Sequence, residues 1–256
     1  MRAAGPAPLV DYDAEAEVYD ATRGGASRAG AAATAVLGLL PPTAATLVDV
    51  GCGTGIVTSR LVRPGLRVLG ADASYGMAAA ASRRGVPVVL ARADRLPLPA
   101  ASSDAVSAVW LLHLLREPGA AAAVVVEAGR VLRPGGVFLT TVDKDAAHDV
   151  DSDIDEVFAP HLTRAAADAA ARVTAYAAEA GLRPYGDALF AGHGQGRTPR
   201  GAAEALLAGR YASRISPRGS TARELADRLE RLPDQDTPRP EPTYRLQGFV
   251  RGFAAR

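Results

Sequence analysis

The sequence predicts an α/β fold: a doubly wound sheet with helices on both faces, within one domain. Three observations predict it. A short apolar run at residues 47–50 leads into three alternate glycines, Gly51, Gly53 and Gly55, with a helix-compatible stretch at 56–62 behind them; this reads as buried strand, glycine loop and helix. A second apolar run, at 67–72, ends in Asp72, ~20 residues past the first glycine, the interval at which a strand-end carboxylate meets a ribose. Further short apolar runs alternate with alanine-rich helical stretches up to residue 142, the order that builds a parallel sheet.

Composition bounds the rest. The chain of 256 residues is long enough for one elaborated α/β domain and cramped for two. A net charge of +1 gives no global basic field for a nucleic-acid partner. Cys52 is the single cysteine, which excludes an intramolecular disulfide and a cysteine-based zinc cluster. No apolar segment approaches the ~20 residues that span a bilayer, and the first residues run into acids instead of an apolar signal core. A cytoplasmic protein with no membrane partner is the expectation.

The glycines bring the backbone close to a ligand that a Cβ would obstruct, and the helix behind them offers N–H groups to an anion. Their spacing is G-x-G-x-G. Ile56 stands where the third glycine of the dinucleotide pattern G-x-G-x-x-G is needed. With its Val48-Asp49 lead-in, the stretch resembles motif I of the class I S-adenosylmethionine-dependent methyltransferases. That resemblance implies a Rossmann-like, seven-stranded mixed sheet, whose last strand runs antiparallel between the fifth and sixth.

The elements follow in order. Residues 11–19 read as a short helix and 29–40 as an alanine-rich helix stopped by Pro41-Pro42. Together, residues 1–40 form a lid segment and first helix ahead of a 41–256 domain. Tyr19-Asp20-Ala21-Thr22-Arg23-Gly24 is similar to family segments that close over the cofactor, so Tyr19 and Arg23 face the cofactor's methionine end or the substrate, or serve as a packing anchor and a solvated charge. Gly51, Gly53 and Gly55 belong by resemblance to the methionine end and Asp72 to the ribose, with Asp49, Cys52 and Ala73 beside them as cofactor contacts. Residues 72–77 resemble the acid-x-S-x-x-M pattern whose methionine, here Met77, packs on adenine. A third strand at 87–91 precedes Ala93-Asp94 in an A-D-x-x-x-L-P-x-P-like loop, where the family's acid, Asp94, accepts the adenine amino group.

A fourth strand, 104–110, ends at Trp110, included among the cofactor contacts, and runs into His113-Leu114. This looks like the D-x-V-x-x-x-x-x-L-H-H-L segment of the quinone C-methyltransferase branch, with leucine in place of the second histidine. His113 is the candidate general base, titratable near neutrality at a strand's carboxyl end; a histidine hydrogen-bonded in the cofactor wall is the alternative. A helix at 118–132 and the Pro134-Gly135-Gly136 turn lead to strand five at 137–142. The Asn/Asp-Pro-Pro-aromatic signature of nucleobase amino-methyltransferases is absent, so no DNA substrate is expected.

Beyond residue 142 the resemblance thins. Residues 143–156 are rich in carboxylates but fail an EF-hand count, with Ile154 at the glycine position, so no metal is expected. They read as a solvated acidic loop or as a lure for a cationic amine. A helix at 163–180, a strand at 182–191, helices at 199–211 and 220–232 and a strand at 243–253 complete the chain. The helical stretch about 197–235 reads as an insertion capping the acceptor site. Its arginines, Arg197, Arg200, Arg210, Arg214 and Arg218, steer an anion or RNA, or form a solvated face.

The resemblance implies methyl transfer from S-adenosylmethionine, leaving S-adenosylhomocysteine, to the O, N or C of a small molecule, in bacterial secondary metabolism. A homodimer is left open. Three other readings stand beside it: an RNA methyltransferase, an NAD-dependent oxidoreductase and a methyltransferase-like protein without turnover.

Overall fold

Adjacent residues of the central strands are buried against opposite layers, so the strands are apolar on both faces. Leu47, Ala105, Val137 and Leu139 pack on one side with Ala32 and Val36, while Val48, Val106 and Phe138 pack on the other with Val124, Ala128 and Val173. The structure is a computed structural model that describes residues 12–16, 19–115, 117–162, 166–209, 215 and 220–253.

Strands β1 (Thr46–Val50), β2 (Arg67–Asp72), β3 (Val88–Leu90), β4 (Ser103–Ala108), β5 (Leu132–Val142), β6 (Leu182–Ala191) and β7 (Thr243–Arg251) form a seven-stranded sheet of order β3-β2-β1-β4-β5-β7-β6. β1 to β5 pair in parallel, and β7 lies antiparallel between β5 and β6. The mixed sheet with an antiparallel last strand is as expected. Phe138 and Phe249 face each other across the β5–β7 register and stack at 6.4 Å. The order reverses on either side of β1 and β4, which opens a crevice at their carboxyl ends.

Helices α1 (Tyr12–Glu15) and α2 (Tyr19–Thr22) replace the single N-terminal helix expected, and α3 (Gly25–Leu39) follows. The helix expected at 56–62 is a correction: only a 3-10 turn, Thr58–Arg60, forms there. Gly55 is left-handed at φ 74°, the Thr58 hydroxyl is turned onto Asp49, and Pro64 closes the run. α4 (Tyr75–Arg83) and α5 (Ala120–Val131) supply the other early layers. Pro134-Gly135-Gly136 is a bulge inside β5, where the register slips between Ser103 and Ala105. A Cβ on Gly136 would lie 2.9 Å from the Asp104 carbonyl oxygen.

The second half adds α6 (Asp153–Phe158), α7 (Ala170–Glu179), α8 (Pro199–Leu207) and α9 (Ser220–Leu229). Ile154, Val157 and Phe158 of α6 make a separate small core with Ala203, Leu206, Leu225 and Leu229. The acidic segment is not a free cloud of charge. Asp145 pairs with Lys144 at 2.9 Å, Asp153 with Arg239 at 2.7 Å, and Asp155 caps α6 through Ser152 while pairing with Arg197. The Asp143 carboxylate accepts from the Ala170 N–H at 3.1 Å, leaving Asp149, Asp151 and Glu156 exposed. Arg200 pairs with Asp236 at 2.7 Å, whereas Arg210, Arg214 and Arg218 lie outside the described residues. Among the described residues no helix is long and apolar enough to cross a membrane.

Candidate active site

The chain leaves β1 through Gly51, whose N–H donates to the Ala71 carbonyl at 2.7 Å, closing the loop onto β2. Gly51 and Gly53 are left-handed at φ 68° and 55°; a Cβ on Gly53 would meet only the Met77 sulfur, at 4.0 Å. The loop floor is therefore open toward a ligand at Gly53, whereas a Cβ on Gly51 would lie 2.8 Å from the Leu111 side chain. Gly55 serves differently. Its missing side chain admits Ala81, whose Cα would lie 3.1 Å from an added Cβ, and it does not line the cavity described below.

Beneath the loop, Asp49 is buried and accepts hydrogen bonds from the hydroxyls of Thr58 at 2.6 Å and Ser107 at 2.7 Å. Burial pushes its pKa up to about 6, against the opposing pull of these two bonds. At the end of β2, Asp72 accepts from the N–H groups of Gly53 at 2.8 Å and Ser74 at 2.9 Å. Burial raises its pKa too, with those bonds working the other way. At the end of β3, Asp94 is gripped by Arg92 through bonds of 2.9 and 2.6 Å, and this partner lowers its pKa. Burial pushes the Cys52 thiol up, so it is an inert part of the wall.

At the end of β4, Trp110 is held at φ 54°. A bulky residue in that region is strained unless its surroundings fix it. Here its N–H donates to the Thr141 hydroxyl at 2.7 Å, and its ring packs against Phe190 at 5.8 Å and Tyr244 at 5.7 Å. The guanidinium of Arg28 lies 3.5 Å above the indole.

The N-terminal helices close the other side. The Asp13 carboxylate accepts from the Ser74 hydroxyl and the Gly76 N–H, at 2.5 and 2.8 Å, docking α1 on the start of α4. Asp20 accepts from the Thr54 hydroxyl at 2.6 Å and pairs with Arg84, pinning α2 to the glycine loop. Tyr12 and Tyr19 meet edge to face at 6.1 Å, and Arg23 lies 5.6 Å from the Tyr19 ring centre.

These parts enclose a cavity of ≈ 520 Å³. Tyr19, Arg23, Asp49, Gly51, Cys52, Gly53, Asp72, Ala73, Met77, Ala93, Asp94 and Trp110 all line it, so twelve of the thirteen residues expected at the cofactor meet around one cavity. No lining residue comes from 197–235 among the described residues. His113 is not a lining residue either. It sits in a 3-10 turn with its Nδ1 buried and unpartnered, and burial, with the Lys144 charge second, holds its pKa down at about 3. Asp13, Asp20, Thr54 and Arg28 also line the cavity and were not anticipated.

The family described as Methyltransferase domain matches residues 48–140. Those residues run from within β1 to within β5 and carry every cavity-lining strand end. The chain holds a class I S-adenosylmethionine-dependent methyltransferase domain. A demethylmenaquinone methyltransferase of Corynebacterium kroppenstedtii is 38% identical over 96 residues, 38% of this chain and 41% of that protein. The chain thus matches about two fifths of that relative's length. Among solved structures, the methyltransferase bound to the Trm112 activator of Haloferax volcanii superposes with a TM-score of 0.60 at 20% identity, over 95% of this chain and 98% of that one. The [4+2]-cyclase SpnF superposes with 0.58 at 21% identity, over 95% of each chain. Likenesses this distant share the methyltransferase fold. S-adenosylmethionine is the cofactor such a domain takes, and the open glycine floor with acceptor carboxylates at Asp72 and Asp94 fits it.

Proposed function

We propose that the protein transfers a methyl group from S-adenosylmethionine to a small molecule. The observation that carries this reading is the convergence of three successive strand ends, those of β1, β2 and β3, on one cavity wall. In it the glycine backbone of Gly51 and Gly53 receives the methionine end, the Asp72 carboxylate accepts the ribose hydroxyls, Met77 packs on the adenine and Asp94 takes its amino group. Tyr19 and Arg23 cover the cofactor from the lid.

The cofactor would bring an activated methyl carbon, and the chain's task is to hold a nucleophile in line with it. Trp110, fixed at the end of β4, and the lid supply the wall for this. His113 supplies no proton step, because a base with a pKa of about 3 that does not line the cavity removes no proton at neutral pH. The segment 197–235 acts as an outer buttress on α6, with the lid as the nearer cover. A small molecule suits a partly open cavity of ≈ 520 Å³.

Calorimetry with S-adenosylhomocysteine tests the cofactor part: saturable binding is expected, and NADH should not compete. Transfer from methyl-labelled cofactor across a panel of small phenols, acids and amines tests turnover. Cofactor binding without any labelled product would instead point to a fold used for other chemistry.

A further inference from the structure

Among the described residues, the most deeply buried cation in the cavity wall is an arginine with no acid. Arg28 is 6% exposed, yet among the described residues no carboxylate lies within ion-pair distance of it. Its Nη1 donates to the Arg23 carbonyl at 3.0 Å, its face rests on Trp110, and its Nε is buried without a partner. The indole Nε1 of Trp110 is likewise buried and unpartnered. Tyr244 is the side-chain hydrogen-bond partner of Arg28, and Asp145, the acid acting electrostatically on Tyr244, is paired with Lys144. A guanidinium taken out of water without an anion is costly, and a buried donor with no acceptor adds to that cost. A cation kept in such a place is completed by an anion that arrives with a ligand.

Position separates this anion from the cofactor's own carboxylate. Arg28 leans on Trp110 and, at 5.5 Å, on Tyr244, the ends of β4 and β7. The glycine loop, Asp72 and Asp94 stand at the ends of β1, β2 and β3, and Arg23 lies nearer the lid face at Tyr19.

We propose that the methyl acceptor binds as an anion, with its charge held by Arg28 over Trp110. This rests on the methyltransferase reading above. The acceptor is then a small carboxylic acid, phenol or acidic 1,3-dicarbonyl compound that gives its proton to water before entry. Where the ionised atom is itself the nucleophile, its electron pair forms the new bond to the methyl carbon, the carbon–sulfur bond breaks toward sulfur, and a neutral thioether leaves. No proton has to move inside the site, which accounts for a cavity without a competent histidine.

Trp110 is the single tryptophan, so its fluorescence reports on the occupant of this place. With the protein saturated by S-adenosylhomocysteine, benzoate, 4-hydroxybenzoate and phenylacetate are compared with their amides, by fluorescence and by calorimetry. At least one acid should bind about tenfold or more tightly than its amide and change the Trp110 emission, as expected for loss of a charge-assisted contact. Arg28→Met should erase that preference while S-adenosylhomocysteine affinity stays within about threefold, and Arg28→Lys should keep part of it. Equal binding of acids and amides to the wild type overturns the proposal, even if Arg28→Met fails to fold. So does an Arg28→Met protein that binds the acids normally but has lost cofactor affinity, which would make Arg28 a clamp for the methionine carboxylate. Failure of the wild type to bind S-adenosylhomocysteine at all would instead strike the methyltransferase reading.

Discussion

The two ends of the cavity are built on opposite principles. At the β1–β3 end every charged group is already answered by the chain. Asp49 holds two hydroxyls, Asp72 two backbone N–H groups, and Asp94 an arginine. At the β4–β7 end, Arg28 Nε and Trp110 Nε1 are left buried without acceptors. A preorganised wall loses little order when a ligand shared by a whole family binds. Unanswered donors, by contrast, discriminate strongly between ligands that satisfy them and ligands that do not. The difference teaches where to look for each kind of specificity: donor recognition in the satisfied half, acceptor recognition in the unsatisfied one.

The largest expected effect lies in the satisfied half. Asp72→Ala removes the carboxylate assigned to the ribose and frees the Gly53 and Ser74 N–H groups that hold the loop. Charge-assisted bonds of this kind are worth ~1.5–3 kcal/mol, so S-adenosylhomocysteine affinity should fall by about ten- to a hundredfold in calorimetry. The acid-over-amide preference at Trp110, if measured without cofactor, should survive. A variant that lost both at once would show the two ends to be one coupled unit.

A smaller loss is expected when the lid is lifted from both ends together. A Cβ on Gly76 would fall 2.8 Å from the Cα and carbonyl oxygen of Asp13, backbone atoms that cannot step aside alone. Gly76→Ala should therefore displace α1 and break the bonds that Asp13 makes to Ser74 and Gly76. These are exposed bonds worth ~1 kcal/mol each, so about a five- to twentyfold weaker cofactor complex is predicted. Proteolysis near residue 16 should speed up in parallel, and unchanged affinity with faster cleavage would show that the lid does not cover the cofactor.

How far the sequence spoke also divides between the halves. β1, β2 and the placing of Asp72 and Asp94 at the cavity were legible because short local patterns carry them: an apolar run, a glycine, an acid at a strand end. Gly55 was misread, since its spacing looks like ligand approach while its use is to admit Ala81. The helix expected behind it was overridden by the Asp49–Thr58 bond and Pro64. Arg28 was missed because an arginine in an alanine-rich helix reads as solvated. A signal was present, for Arg28 shares the buried face of α3 with Ala29, Ala32, Ala35 and Val36, positions at helical spacing. The fate of residues 143–156 could not be read in full, because Asp155 and Asp153 are neutralised by Arg197 and Arg239, partners whose approach depends on the finished fold, while Asp145 pairs with its neighbour Lys144.

The satisfied half can also be probed by pH. Asp49, with its pKa raised to about 6 by burial, binds a proton more tightly folded than unfolded. Its ionisation therefore costs stability above that pH, and the cost is relieved as the pH falls toward the ordinary carboxylate value. Asp49→Asn removes the buried charge and keeps the shape. The variant should melt above the wild type at pH 8, by an amount on the order of 2 kcal/mol, with the gap closing toward pH 4.5. The difference between the two proteins cancels the background from Asp168, also raised to about 6, and from His148, held at about 3. A gap that widened on acidification would mean that Asp49 is stabilised as a carboxylate by its two hydroxyls.

The smallest effect is expected at His113, and its smallness is what separates the two ends chemically. If the acceptor enters as an anion, the β4–β7 end needs no base, and a neutral histidine there only fills space. His113 already has its pKa held at about 3 by burial and by the charges of Lys144, Arg28 and Arg23, opposed by Asp145. It stays unprotonated through the whole neutral range, so its titration cannot shape a pH–rate profile there. His113→Asn should leave kcat/KM within about threefold and the profile unmoved, where loss of a general base would cost ~10²–10⁴-fold. The melting temperature should carry what effect there is, falling at pH 8 through lost packing. Below pH 6.5 the wild type also loses stability as unfolded histidine takes up a proton that the fold refuses, so the variant's thermal stability should decline less steeply between pH 6.5 and 5. A hundredfold loss of turnover with an altered profile would instead return the base to the site and leave the anion at Arg28 with an orienting role alone.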